Sequence, residues 1–542
     1  MKSILRLTTG ALLSLSLFSG CIEETFPTNG ATAGQVADSS AALDAMVNAI
    51  PSAMMMAGST GAYQYGYPWD FAYPAIHIAL ESLCEDLAVL GDEGYDHFAY
   101  YSQNLGLGDM YYMCTLTWDN YYPWIKSCND IISTIKNGSS APNAQAYLGI
   151  AYAYRAICYL DLVRLYEGKE NEYAYNAEAA GLAVPIVTEE TTEDSGSNNP
   201  RATVDQVYEL IFSDLKNAEE CLDGYKRTTK SRPDLSVVYG VYARAYLERG
   251  ELSTDNYAKA AEYARKAIDA SGCTPLTQDQ WEDPTNGFNN MSSQNSWMLG
   301  LPLPSEQVAN LFCFTAHMST EESWTNYGWN VCRGINKALY DQISNKDFRK
   351  HSWLDPDRSF YNYKSCRPDG ATHFAESLRD YANIKFRPAG GNYSDYRTGG
   401  AADHPLMRVE EMYLIEAEAA GMVNLNEGKR LLNEFMKYRI LDGSYNCSSI
   451  ASEKDFQKEV ILQKRIEFWG EGVLFFDYKR LGLGITRGYA GTNHQPNYRY
   501  NCNKIAPWWN FCIPRTEIQN NSGIPQSLNN PDPSSTVSLW MN

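Results

Sequence analysis

Residues 405–421, PLMRVEEMYLIEAEAAG, and residues 463–481, QKRIEFWGEGVLFFDYKRL, decide how this chain is read. In the first, Met407, Glu411, Leu414 and Ala417/Glu418 recur at helical spacing, while Ala417, Ala419 and Ala420 keep that surface thin enough for a neighbour to approach. In the second, Arg465-Ile466-Glu467-Phe468 runs over Gly470-Glu471-Gly472 into Phe475-Phe476-Asp477, a pattern that reads as helix, break and helix. Both stretches predict helices packed tightly against other helices. Arg408, Glu411, Glu418, Arg465, Glu467 and Asp477 sit on these packing-rich segments, and a buried charge without a partner is strongly destabilising. Mutual salt bridges and hydrogen bonds among them are expected.

Working outward, the 542 residues are 44% hydrophobic and 20% charged, enough to bury a large core. The formal net charge of −20 argues against a nucleic-acid partner, since phosphate binding needs a basic face. An acidic surface of this kind reads first as solubility. At the start, Lys2 and Arg6 precede an apolar run, Ala11 to Phe18, too short to span a bilayer, and Ser19-Gly20-Cys21 closes it. This looks like a lipoprotein signal over residues 1–20 with Cys21 as the lipidated residue, the alternative being an ordinary cleaved secretory leader. Glu23-Glu24 resembles the acidic signal that sends lipoproteins of Bacteroidota-type bacteria to the cell surface. Anchoring by a lipid, without a spanning segment, is the expectation. Twelve cysteines remain after Cys21, with no C-x-x-C pair and no zinc-ligand array. Cys84, Cys114, Cys128, Cys158 and Cys221 read as small buried apolar residues of helices. Cys502 and Cys512 are placed to bridge a C-terminal loop, with the connectivity left open. No metal and no cofactor is implied.

Taken in order, a tether over 21–38 leads to a helix from Ser39-Ser40 to Met56, serine-capped, with Leu43, Met46, Val47 and Ile50 inward. An aromatic loop from Gly58 to Tyr73, helical material near His77–Val89 and a second aromatic loop from Tyr95 to Tyr112 follow. A helix broken or started at Pro123 runs to Lys136 and pairs with Asn143–Tyr166. Thr203 caps Val204–Leu222, and Pro233 opens the next helix. Tyr239–Leu252 and Lys259–Asp269 then match the tetratricopeptide pattern of small and aromatic residues in two antiparallel helices, with Ala243, Ala260 and Ala267 where the helices touch. From Gly272 to His404 prolines, glycines, asparagines and tryptophans cluster, which predicts a loop-rich insertion with a few strands. Helical pairs resume at Leu406–Ala420 with Asn426–Arg439, then Glu453–Trp469 with Val473–Arg480, before a loop-like tail from Gly482. The expectation is a mostly α fold. Tetratricopeptide-like hairpins over 39–271 and 405–481 form a curved scaffold, with insertion 272–404 and tail 482–542, in a single domain spanning 39–542.

In that order the chain resembles the SusD/RagB family of outer-membrane nutrient-binding lipoproteins. The family pattern P-L/I-x-R-x-A/E-E-x-Y-L-x-x-A-E-A is matched by Pro405-Leu406, Arg408, Glu410-Glu411, Tyr413-Leu414 and Ala417-Glu418-Ala419. The pattern E/Q-x-R-x-E-F-x-x-E-G-x-x-F-F-D-x-x-R is matched by Gln463, Arg465, Glu467-Phe468, Glu471-Gly472, Phe475-Phe476-Asp477 and Arg480, and the closing I-P-x-x-E-I-x-x-N by Ile513-Pro514, Glu517-Ile518 and Asn521. Arg155-Ala156, Tyr159-Leu160, Leu162-Val163 and Tyr166, and the helix opening at Arg201, resemble further family segments. The resemblance implies a surface-exposed, non-catalytic protein on the outer membrane. It would capture oligo- or polysaccharide and deliver it to a TonB-dependent, SusC-like transporter. A peptide-capturing member of the family is the alternative. A surface glycoside hydrolase would cast Glu467 and Glu471 as an acid/base pair, but no nucleophile motif or H-E-x-x-H accompanies them.

The family motifs hand over no binding residues, so these are sought by chemistry. Sugars stack their C–H faces on aromatic rings and pair their hydroxyls with planar amides and carboxylates. The chain carries 12 Trp and 39 Tyr. Those in loops need a reason to be there, because loops lie at the surface. Two clusters are candidates: Tyr65, Tyr67, Trp69 and Asp70 in the first aromatic loop, and Trp324, Asn326, Tyr327, Trp329 and Asn330 in the insertion. They are expected to converge into one glycan platform whose rings can be truncated without loss of thermal stability. Tyr498-Arg499-Tyr500 to Trp508-Trp509 is a weaker candidate that could instead plug the core.

Overall fold

The computed structural model describes residues 33–58, 67–91, 96–325, 327–359 and 377–541. The leader, Cys21, most of the tether, Tyr65 and Asn326 lie outside them. The fold is mostly helical; the sheets among the described residues are three antiparallel strand pairs. No described helix is long and apolar enough to cross a membrane.

The main helices are α1 (Ser40–Ala53), α2 (Ala72–Leu83), α3 (His97–Ser102), α4 (Tyr112–Lys136), α5 (Ala144–Tyr166), α6 (Val204–Cys221), α7 (Leu235–Glu248), α8 (Thr254–Ser271), α9 (Val409–Val423), α10 (Leu425–Met436), α11 (Glu453–Glu467) and α12 (Leu474–Arg480). Local chemistry sets their starts. Ser39 Oγ accepts from Ala42 N, Thr203 and Gln206 form a capping box, and Asp234, Asn424 and Ser452 cap α7, α10 and α11. Successive helices pack pairwise, α4 on α5, α5 on α6, α7 on α8 and α9 on α10. Helix α9 also lies along α8, so the helices before and after the insertion form one continuous stack. Its alanines allow this, because Ala417 and Ala419 are fully buried against their neighbours.

Several expected boundaries move, each for a local reason. Helix α4 runs unbroken through Pro123. The proline forfeits one backbone donor there, and Ser127 Oγ donates to its carbonyl at 3.0 Å. The loop from Tyr95 to Tyr112 contains α3, capped by Asp96, whose Oδ1 accepts from Phe98 N at 2.9 Å. Leu87–Val89 forms β1 rather than the end of a helix. The stretch 404–408 is strand β4, not helix, so Met407 and Arg408 precede α9. Pro405 biases the preceding residue toward an extended backbone, and β4 pairs with β2 (Trp297–Leu301), setting Trp297 opposite Arg408. The last residues of the tether form a short helix, Ala33–Asp38, that docks on the α4–α5 turn, where Asp38 Oδ1 accepts from Ser140 N at 2.9 Å.

The motif charges lie inside this frame. Arg408 meets Glu471 at 2.9 Å, Glu410 at 3.0 Å and Glu467 at 3.2 Å, while Arg439 and Arg349 reach Glu467 at 2.8 and 3.0 Å. Lys385 of the insertion donates to Glu471 at 2.7 Å. Glu418 binds Arg480 at 2.6 Å and Lys464 at 2.7 Å. Two charges pair outside the motifs: Glu411 with Arg244 of α7 at 2.6 Å, and Arg465 with Asp86 and Glu85 at 2.5 and 2.7 Å. Although burial opposes ionisation of Glu467, the surrounding arginines, Arg439 foremost, hold its carboxyl far below the ordinary range. The turn between α11 and α12 needs its glycines. Gly472 has φ +74°, and a Cβ there would stand 2.6 Å from His77 Cα.

Candidate functional site

The two aromatic loops meet beside α3. Trp69 lies in parallel contact with Tyr67, ring centroids 4.6 Å apart, and with His97 of α3, 3.8 Å apart. Tyr112, at the start of α4, presents its edge to both Tyr67 and Trp69. From the insertion, His317 reaches across. Its Nε2 stands 2.8 Å from Pro68 O and 3.0 Å from Leu311 O, and both partners are carbonyls, so Nε2 carries the proton. The His317 ring stacks on Tyr327 at 4.6 Å and on Phe71 at 5.2 Å. Burial pushes this imidazole down to about 4, so it is neutral at pH 7 and can act as a fixed donor.

A buried ion pair supports the junction. Arg333 of β3 (Arg333–Ile335) donates to Asp96 Oδ2 at 2.5 Å and to His317 O at 2.7 Å, with neither Arg333 nor Asp96 exposed. β3 pairs with β1 in the register Val89↔Arg333, and Leu90 N and Gly91 N continue the ladder onto Cys332 O and Val331 O. The insertion is thus stitched to the amino-terminal helices directly under the aromatic cluster.

The candidate residues take different positions in this junction. Trp329 is 47% exposed, its Nε1 donating to Thr325 O at 3.1 Å, so the indole is oriented while about half of it remains open to solvent. Tyr327 and Tyr67 are half-buried. Trp69, only 1% exposed, and Asp70 are buried. The expectation of an open Trp69 fails because Tyr67 and His97 cover its ring, and its truncation would not spare stability. Burial, with help from the charges of Glu517 and Asp70, pushes the Asp119 carboxyl on α4 up to about 6. Trp324 is half-buried and turned toward Gly399, where an added Cβ would stand 2.8 Å from its ring. Tyr498, Tyr500, Trp508 and Trp509 are core residues, and Trp508 Nε1 donates to Leu83 O at 2.9 Å. Sequence reasoning missed His97, Tyr112 and His317. The first two lie near the two ends of the second aromatic loop, a usable signal; nothing around His317 distinguishes it. Among the described residues no group of three or more His, Cys, Asp or Glu side chains is placed to hold a metal.

Comparison with known proteins places this geometry. A family model described as starch-binding associating with outer membrane matches residues 59–247, and one described as SusD family matches residues 362–531. The chain belongs to the SusD family. A relative named SusD-like protein P2, from Formosa agariphila, is 26% identical over 476 residues, covering 81% of this chain and 85% of the relative. The crystal structure of a SusD-like carbohydrate binding protein from Bacteroides vulgatus superposes with a TM-score of 0.72 at 21% identity, covering 90% of this chain and 98% of that one. A laminarin binding SusD-like protein superposes with a TM-score of 0.62 at 16% identity, covering 91% and 99%. In this SusD-family chain Glu467 and Glu471 are buried and enclosed by arginines and lysine.

Proposed function

We propose that this chain is a surface-exposed, lipid-anchored glycan-binding protein of the outer membrane. It captures oligo- or polysaccharide on an aromatic platform and delivers it to a TonB-dependent, SusC-like transporter, without chemistry of its own. The observation that supports the reading best is Trp329: a large apolar ring held by a hydrogen bond, half open to solvent, beside a dense aromatic junction. An exposed, oriented indole offers a face to sugar C–H groups at small entropic cost. Tyr67 and Tyr327 extend the platform. Trp324 and Asp70 are proposed as supporting positions, Trp69 as the buried base on which Tyr67 rests, and Asn326 as a further ligand-binding residue.

Affinity electrophoresis of the purified chain through gels containing different polysaccharides tests this. Retardation by at least one glycan, reduced in Trp329→Ala, is the expected outcome. Absence of retardation across glucans, mannans, xylans and pectins, together with binding to a peptide library, would transfer the protein to peptide capture. Release of reducing sugar from any retained glycan would contradict the non-catalytic reading.

A further inference from the structure

Two thiols meet where the carboxyl-terminal tail crosses the start of α4. Cys114 lies in the first turn of that helix and Cys512 in the tail, each 1% exposed. Cys114 Sγ is 3.2 Å from Gly108 O, and Cys512 Sγ is 3.4 Å from Pro531 O. The two segments that accept these contacts are joined through side chains of the tail. A Cβ added to Gly108 would stand 2.1 Å from Asp532 Oδ2, and Leu107 N donates to Ser534 Oγ at 3.0 Å. At this crossing the Cys512 thiol is within hydrogen-bonding reach of the Cys114 thiol. Cys502 lies elsewhere, in the strand pair opposite Ile485 with Tyr173 beside it, so it is not the neighbour of Cys512.

We propose that Cys114 and Cys512 are the site of an intramolecular disulfide that fastens the tail to α4. The oxidant is a small-molecule disulfide, RSSR. One cysteine attacks it as thiolate, releasing RSH and leaving a mixed disulfide; the other cysteine displaces the second RSH. Two thiol protons and two electrons pass to RSSR, and one S–S bond replaces another. A cavity of about 610 Å³ lined by Asp109, Tyr111, Cys512, Arg515 and Asp532 gives such an oxidant a path to the Cys512 side. The bond would close a loop of roughly 400 residues, for which chain-entropy arguments predict a melting temperature raised by about 5 °C in a chain of this size.

The test uses the full chain, incubated overnight with oxidised glutathione, then unfolded in iodoacetamide and weighed. Expected are two fewer alkylated cysteines than after prior reduction, a cross-linked peptide joining the regions of Cys114 and Cys512, and melting about 5 °C above the reduced protein. Cys114→Ala should abolish the cross-link and make melting insensitive to the oxidant, and Cys512→Ser provides the same check should the first variant fail to fold. Full alkylation of both cysteines in the oxidant-treated chain, a glutathione adduct persisting on Cys512, or a cross-link to Cys502 would each overturn the proposal.

Discussion

Truncating two tryptophans of the same junction separates what the site presents from what holds it up. Trp329 is 47% exposed, so about half of the indole is covered by protein, and one hydrogen bond to Thr325 O orients it. Trp329→Ala should therefore cost about 1–2 kcal/mol of stability, less than a fully buried tryptophan. If the indole stacks on a sugar as aromatic platforms stack on bases, its loss removes about 1–3 kcal/mol of binding. That range weakens Kd by roughly 5- to 160-fold. Trp69, at 1% exposure and in parallel contact with two rings, behaves oppositely. Trp69→Ala opens a cavity and should cost about 3–5 kcal/mol. With an unfolding entropy near 1.1 kcal/mol per kelvin for a chain of this length, that is a fall in melting temperature of about 3–4 °C. Isothermal titration calorimetry with the retained glycan and differential scanning calorimetry read the two effects separately. An unchanged Kd in Trp329→Ala, with the protein folded, would falsify the platform; an unchanged melting temperature in Trp69→Ala would refute its role as a buried base.

Other consequences of the packing can be measured directly. Arg408→Met leaves Glu471, Glu410 and Glu467 short of their shared cation and should destabilise by about 3–5 kcal/mol in urea unfolding. Adding Glu471→Gln should restore part of that loss, and a double variant as unstable as the sum of the singles would contradict the shared network. Gly472→Ala should be among the most damaging single-methyl additions, because the new Cβ meets His77 backbone at φ +74°; a melting temperature within 1 °C of the parent, about the scan error, is the contrary result. Burial, with Arg487 nearby, pushes the His494 imidazole down to about 3. The unfolded chain takes up a proton below about pH 6.5 while the folded chain cannot, so this histidine's contribution falls as pH drops from there toward 3. The stability gap between the parent and His494→Gln should shrink by about 2 kcal/mol between pH 7 and pH 5; parallel pH profiles would exclude this.

The helical frame was legible from residues alone because its signals are local and repeated. Caps at Ser39 and Thr203, alanine-rich faces in α8 and α9, and the glycines between α11 and α12 all act over a few residues. Strand β4 was not legible, because its partner Trp297–Leu301 lies more than a hundred positions earlier and contributes nothing to the local pattern around Met407. The same limit explains the tryptophans. Trp69 and Trp329 sit in similar polar, glycine-containing surroundings, yet His97 and Tyr67 cover one while solvent meets the other. Loop composition reports that a ring needs a partner; whether that partner is protein or ligand depends on which distant loop comes alongside. His317, which joins the two loops through Pro68 O, had no signature for this reason.

The charge network explains how a loop-rich insertion is held in one position on the helical stack. Apolar contacts are non-directional and tolerate sliding, whereas guanidinium forks fix both distance and angle. Arg349, braced by Asp347, and Lys385 belong to the insertion, and the two cations lock onto Glu467 and Glu471 of the α11–α12 segment. Arg333, also of the insertion, locks onto Asp96 and the His317 carbonyl under the aromatic junction. Such buried pairs add little net stability compared with apolar packing. What they contribute is selection among docking geometries, since any slip of the insertion leaves several charges unpaired at once. Trp329 can be exchanged for other side chains at smaller cost to the fold than Arg408, Glu467 or Arg333.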